Sequence, residues 1–268
     1  MTKTVLISGA SSGIGKQLAI EFSKKGYKLV LVARREVLLK QLKEELIDTY
    51  HNEVEYFVCD ISVNAKAVYD YCHDNNIKVD ILVNNAGYGD FGRFIESDLD
   101  KDLGMIELNN KALVSLTYYF IKDMKENGYG HILNVASVAS FMPGPYMAVY
   151  YASKAFVLSF SMALRQELKK DNIKVSVLCP APTKSDFWKV ANGETTMVYN
   201  NIFARTTCQA AKSGIKAIEK NKAFVIDGVQ YKILMGIVKL LPIELTTKIV
   251  GFIKQKQRKR FKSFYKYQ

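Results

Sequence analysis

No apolar run in this chain of 268 residues approaches the ~18 residues that a membrane-crossing helix needs. Its cysteines are few: Cys59, Cys72, Cys179 and Cys208 lie scattered, without metal-ligand spacing. That argues against a zinc site or a disulfide framework and for reduced, mostly buried thiols in a cytoplasmic protein. No metal is expected. Met1 to Lys3 runs straight into an apolar strand, so no secretory leader is expected either. Internal repeats are missing, as is any linker that would mark a second domain. Acidic residues are absent from Lys254 onward, where seven bases stand; without those seven the net charge of +12 falls to +5. The basic character is therefore largely a tail, and with no reader motif beside it nucleic-acid binding is not expected.

What is present begins with a core. The chain is 49% hydrophobic and 24% charged, ordinary for one large globular domain. Lys3 to Ser8 reads as a buried strand that runs into Gly-Ala-Ser-Ser-Gly-Ile-Gly, with glycines at Gly9, Gly13 and Gly15. A helix from about Ile14 to Lys25 follows, stopped by Gly26. Strand, glycine turn and helix make a dinucleotide site. The glycines permit a tight turn and close backbone approach, and the helix N-terminus favours a pyrophosphate. Lys28 to Ala33 is the next strand. Where an NAD site would end it with a carboxylate for the ribose 2′-hydroxyl, this chain has Ala33 followed by Arg34 and Arg35. Two guanidiniums and no carboxylate suit a 2′-phosphate, so NADP(H) is expected over NAD(H).

Further strands are read at Glu55–Cys59, Ile81–Val83, His131–Ala136, Lys174–Leu178 and Ala223–Ile226. Helical stripes lie between them at Glu36–Tyr50, Ala65–Cys72, about Asp98–Met124, Tyr150–Leu168 and Thr206–Lys220. This alternation predicts an α/β, single-domain Rossmann fold: a doubly wound parallel sheet of about seven strands with helices on both faces. Ligands in such sheets bind beyond the strand C-termini, where Asp60, Asn85, Ser137 and the residues after Cys179 fall.

Tyr150 and Lys154 are four apart, which puts them on one face of a helix. An ammonium beside a phenol favours the phenolate and lowers its pKa, giving an acid/base device near neutral pH. Ser137, thirteen residues before Tyr150, is placed to steady a substrate oxygen. Tyr151 offers a competing frame, but its i+4 partner is Ala155, which carries no charge. Asn109, a poor mid-helix residue, either holds a water, bends its helix or is merely tolerated. The apolar loop Ser140–Met147 either lines a pocket or packs underneath, and the mixed stretch Asp186–Arg205 is where a substrate lid would sit.

Residues 1–228 are expected to form the NADP(H)-binding and catalytic unit. Residues 229–268 would be a helical extension of the same domain, with helices at Tyr231–Leu241 and Ile243 to about Lys256 and then a basic tail. The tail is read as solvated, as a subunit contact, or as a weak peripheral attachment to anionic lipid.

Together the motifs resemble the short-chain dehydrogenase/reductase family over roughly Thr4 to Ile226. They are Ser-Gly-Ala-Ser-Ser-Gly-Ile-Gly at 8–15, Asp60-Ile61, Asn84-Asn85-Ala86-Gly87, Asn109, Ser137, Tyr-Tyr-Ala-Ser-Lys at 150–154, and Pro-Ala-Pro-Thr-Lys-Ser at 180–185. The resemblance implies Tyr150 as proton donor/acceptor, Ser137 at the substrate oxygen, Lys154 on the nicotinamide ribose and Asn109 supporting a water-linked relay. It implies cofactor contacts from Ser11, Ser12 and Ile14 in the glycine turn, from Asp60 and Ile61 near the adenine, from Asn85, Ala86 and Gly87 near the adenosine ribose, and from Pro180 and Ser185. It also implies a homodimer or homotetramer. This sequence departs at Ser8 and Ser185, where threonine is usual, and at Ala181, where glycine is usual. The resulting expectation is an NADP(H)-dependent oxidoreductase of carbonyls or secondary alcohols, with a hydrophobic substrate such as an oxo-steroid. A 3-oxoacyl thioester reductase and a non-catalytic NADP(H) sensor are the alternatives.

Overall fold

A computed structural model describes residues 2–191 and 204–265, with side chains as far as Arg258. Alternating apolar residues along the strands explain its layers. In β1 (Thr4–Ser8), Val5 and Ile7 point to one face and Leu6 to the other. The first face packs against α1 (Gly13–Ser23) through Leu18 and Phe22 and against α2 (Glu36–Tyr50) through Leu39, Leu42 and Leu46. It also meets α8 (Thr207–Glu219) through Ala211, Ile215 and Ile218. The second face packs against Val68 and Cys72 of α3 (Ile61–Asp74), Leu116, Phe120 and Met124 of α5 (Leu113–Glu126), and Leu164 of α6 (Ala148–Glu167). Burial on both sides is why these strands read as continuous apolar runs.

The remaining main strands are β2 (Lys28–Ala33), β3 (Val54–Val58), β4 (Ile81–Asn84), β5 (Gly130–Val135), β6 (Ile173–Cys179) and β9 (Phe224–Ile226). With β1 they form a seven-stranded, wholly parallel sheet in the order β3-β2-β1-β4-β5-β6-β9. The chain order reverses between β1 and β4, and the crevice there is the expected ligand position. A short pair not expected from the sequence, β7 (Thr183–Lys184) with β8 (Arg205–Thr206), brackets the stretch read as a lid. Most of that stretch, 192–203, lies outside the described residues; its start, α7 (Phe187–Val190), is a short helix.

The segment expected as one helix from Asp98 to Met124 is α4 (Leu99–Ile106), a π-helical turn over Glu107–Ala112, and α5. A capped start explains the first part: the Asp98 carboxylate accepts from the backbone N–H groups of Asp100 and Lys101. Two further helices close the chain, α9 (Val229–Val238) and α10 (Ile243–Tyr265). No helix among the described residues is long and apolar enough to cross a membrane.

His131 on β5 is buried against Ser176 of β6, its Nε2 2.9 Å from Ser176 Oγ. Burial, with the nearby charge of Lys174, pushes its pKa down to about 3. The native state therefore holds it neutral, while an unfolded chain would protonate it near pH ~6.5. More protons on the unfolded state mean stability falls as pH drops from ~6.5 toward 3, by about 2 kcal/mol between pH 7 and 5 from this residue alone. Urea unfolding at the two pH values should show that loss. His131→Asn should flatten the difference by the same amount, whatever its effect at pH 7.

Candidate active site

At the C-terminal edge of the sheet lies a cavity of about 440 Å³. One end is built on the glycine turn. Gly9 and Gly13 take φ of +68° and +59°, which the turn needs. A Cβ on Gly15 would meet the Gly9 carbonyl oxygen at 2.2 Å, so this glycine serves the close packing of α1 under the turn. Asn85 spends its side-chain N–H groups on the Ser8 and Gly9 carbonyls, at 2.9 and 3.2 Å. Ser8, in place of the usual threonine, accepts from the backbone N–H groups of Asn85 and Ala86. The turn is thus tied to the end of β4, and the hydroxyl that does it survives the substitution.

Ser12 at the start of α1 makes no side-chain cap, which leaves the first-turn N–H groups free for an anion. Arg35 folds over the turn, donating to Ser11 Oγ at 2.9 Å and to Ser12 Oγ at 2.6 Å. Arg34 donates to Asp60 at 3.3 Å. Burial would raise the Asp60 carboxyl, but hydrogen bonds from Ser62 and the charge of Arg34 outweigh it and hold the pKa below the usual carboxylate range. An uncapped helix N-terminus with two guanidiniums beyond it fits a phosphorylated dinucleotide.

The other end holds the acid/base candidates. α6 starts at Ala148, so Tyr150 and Lys154 stand one turn apart with Ser137 facing them from the end of β5. Ser137 and Tyr150 line the cavity together, and the Ser137 hydroxyl favours the phenolate. The Lys154 ammonium is buried and donates to the Val135 carbonyl at 2.9 Å. Here the expected electrostatics are corrected. Burial dominates and pushes the Tyr150 phenol up to about 12, with the Ser137 hydrogen bond pulling only partly back. Burial likewise brings Lys154 down to about 8. The helical spacing was right, but the sign of the tyrosine shift was not, because the same wall that gathers the pair also excludes water.

Every sequence-expected site residue lines this cavity except Gly15 and Asn109. Asn109 sits in the π-helical turn. Its Oδ1 accepts from the Tyr88 N–H at 3.1 Å, and its Nδ2 donates to the Tyr88 carbonyl and to Ser153 Oγ, both at 3.0 Å. It is a clasp between the loop after β4 and the residue before Lys154. Ala181 is buried with no positive φ, so its methyl group is accommodated without backbone strain. The loop Ser140–Met147 does both things left open for it: Met147 lines the cavity, while Phe141 packs against Phe224 with ring centroids 6.0 Å apart.

Unexpected lining residues are Tyr88, Tyr151, Phe187, Trp188 and Lys254. Phe187 lies 5.3 Å from the Tyr150 ring and 5.4 Å from Trp188 between centroids, extending an aromatic wall from Tyr150. The apolar pair Phe187-Trp188 at the start of the mixed stretch was the available signal. Lys254 gave none, because it read only as the first of seven bases with no acid among them, near the end of the expected helix and the start of the tail. That reading is corrected as far as side chains are described: α10 continues through the basic segment, Lys254 reaches the cavity and Arg258 pairs with Glu96.

The profile of the short chain dehydrogenase family matches residues 3–195. An uncharacterized oxidoreductase of Thermotoga maritima is 35% identical over 69% of this chain and 73% of its own. A very-long-chain 3-oxoacyl-CoA reductase of Laccaria bicolor is 32% identical over 65% of this chain, but the match spans only 52% of that reductase. Among solved structures, a short-chain dehydrogenase from Sphingobium yanoikuyae in complex with NADPH superposes with a TM-score of 0.80 at 31% identity, covering 88% of this chain and 93% of the other.

Proposed function

This chain belongs to the short-chain dehydrogenase/reductase family, and on that premise we propose that it is an NADP(H)-dependent reductase of hydrophobic carbonyl compounds. The observation that carries the proposal is the gathering of Ser137, Tyr150 and buried Lys154 at one end of a cavity whose other end has an open helix N-terminus and two arginines.

A bound nicotinamide would supply the hydride. In the proposed reaction Ser137 and Tyr150 hydrogen-bond the substrate oxygen and stabilise the negative charge that develops there. Tyr150 then gives up its proton. Lys154 holds the cofactor ribose, and Asn109 positions both by fixing Ser153 and the Tyr88 loop. Arg34 and Arg35 take the 2′-phosphate, supported by the NADPH-bound relative and by the lack of a carboxylate at Ala33.

Met147, Tyr151, Phe187 and Trp188 make the substrate end apolar, which suits an oxo-steroid or a long acyl chain. The fungal relative favours the second, a 3-oxoacyl thioester, although this chain matches about half of that protein's length. The experiment is NADPH oxidation against oxo-steroids, 3-oxoacyl thioesters, simple ketones and sugars. Turnover of one apolar class supports the reading. Binding of NADPH with silence across the panel moves it to a non-catalytic sensor.

We place the protein in a reducing, cytoplasmic compartment, in keeping with four free cysteines. Exposed Leu99, Leu103 and Ile106 on α4 suit pairing of two copies, and exposed Val229, Ile233 and Ile237 on α9, with Leu240 just beyond it, suit either a subunit contact or a membrane surface.

A further inference from the structure

We infer that Lys254 makes the far end of the substrate cavity a subsite for an anionic group, so that the substrate is an apolar carbonyl compound bearing a carboxylate distant from its reacting carbon. This deepens the reductase reading and rests on it. The helix α10 is anchored on both sides of Lys254. Three residues earlier, Gly251 packs so closely on Pro145 that a Cβ would sit 3.3 Å from its ring. Four residues later, Arg258 pairs with Glu96 and lies 6.0 Å from the Tyr146 ring centroid.

Between these anchors Lys254 lines the cavity without a carboxylate partner among the described residues. Its ammonium lies 3.6 Å from Met147 Sδ and 5.6 Å from the ring centroids of both Phe91 and Trp188. The acid on the same wall, Asp186, is held by Lys189 at 3.0 Å. Ring faces and a thioether compensate an ammonium only in part. Burial accordingly brings its pKa down to about 8, which still leaves it mostly charged at neutral pH. A ligand anion would supply the missing partner. The spacing also orients the ligand: rings run from Tyr150 through Phe187 to Trp188, and Lys254 stands over the last of them. The carbonyl lies at one end of this wall and the anion at the other.

Trp188 is the only tryptophan in the chain and reports directly on this place. The full chain, loaded with NADP⁺, is titrated by tryptophan fluorescence with an oxodecanoate whose ketone is remote from its carboxylate, and with the methyl ester. The acid should bind about tenfold tighter than the ester, as a charge-assisted contact predicts. Lys254→Met, which keeps an apolar stem, should bring the ratio to about one, and Lys254→Arg should restore it. Turnover with NADPH should show the same pattern in the acid-to-ester ratio of kcat/KM. No acid preference in the wild type, absent binding included, or a preference that survives in Lys254→Met, overturns the subsite. Acid-preferring binding without turnover of either compound, together with silence across the carbonyl panel, upholds the subsite and removes the reductase reading, so the two failures are distinct.

Discussion

Tyr150→Phe is expected to lower turnover by about 10³-fold or more while leaving the NADPH dissociation constant within about twofold. Positioned general acids contribute roughly 10²–10⁴, and this substitution removes the proposed proton donor alone. The ring keeps its contacts with Phe187 and Tyr151, at 5.3 and 6.1 Å between centroids, so the wall of the cavity stays in place. Ser137 keeps the hydrogen bond that it accepts from the Ala139 N–H, at 3.1 Å. Ser137→Ala should cost less, about 10²-fold, because one of two donors to the substrate oxygen remains. A phenol pushed up to about 12 is protonated throughout the neutral range, the form that reduction uses. Oxidation needs the phenolate and should be slower at pH 7, gaining as pH rises. Single-turnover NADPH oxidation with Tyr150→Phe decides the matter, and turnover near wild type would remove Tyr150 from its role.

Where a residue's role is set by its near neighbours in the chain, the sequence carried it. Val5 and Ile7 against Leu6 announce a strand buried on both faces, and the period of two finds its outlet in two separate cores. The glycine turn and the four-residue spacing of Tyr150 and Lys154 are equally local. Contacts across long separations left no such trace. Asn109 is bonded to Tyr88, 21 residues away, through a π-helical turn whose sequence looks helical. Lys254 reaches Met147, 107 residues back, from a segment that composition marks as a tail. The tyrosine's pKa belongs to the same class: spacing shows the lysine four residues on, while the burial that raises the phenol comes from helices and loops assembled around it. The same limit applies to Arg35, whose hold on Ser11 and Ser12 closes over 24 and 23 residues.

That hold shapes the second large effect. Replacing both arginines, Arg34→Ala with Arg35→Ala, should weaken NADPH binding by about 10²-fold and change NADH binding by no more than about threefold. Both guanidiniums are exposed, so each contact to a 2′-phosphate is discounted to roughly 1–1.5 kcal/mol against the 1.5–3 of sheltered charged hydrogen bonds. Two such contacts give the stated factor. The loss should shrink at high salt, since exposed charges are screened over about 10 Å at 0.1 M ionic strength. The single variants should differ. Arg35 also braces the glycine turn through Ser11 and Ser12, so Arg35→Ala should weaken both cofactors slightly. Among the described residues Arg34 donates only to Asp60, and its removal should act on NADPH alone while letting the Asp60 pKa rise. Calorimetric titration of each variant with both cofactors reads all of this. If wild type binds NADH as tightly as NADPH, the arginines are helix-start residues at the edge of an NAD site, and the absence of a carboxylate at Ala33 loses its meaning.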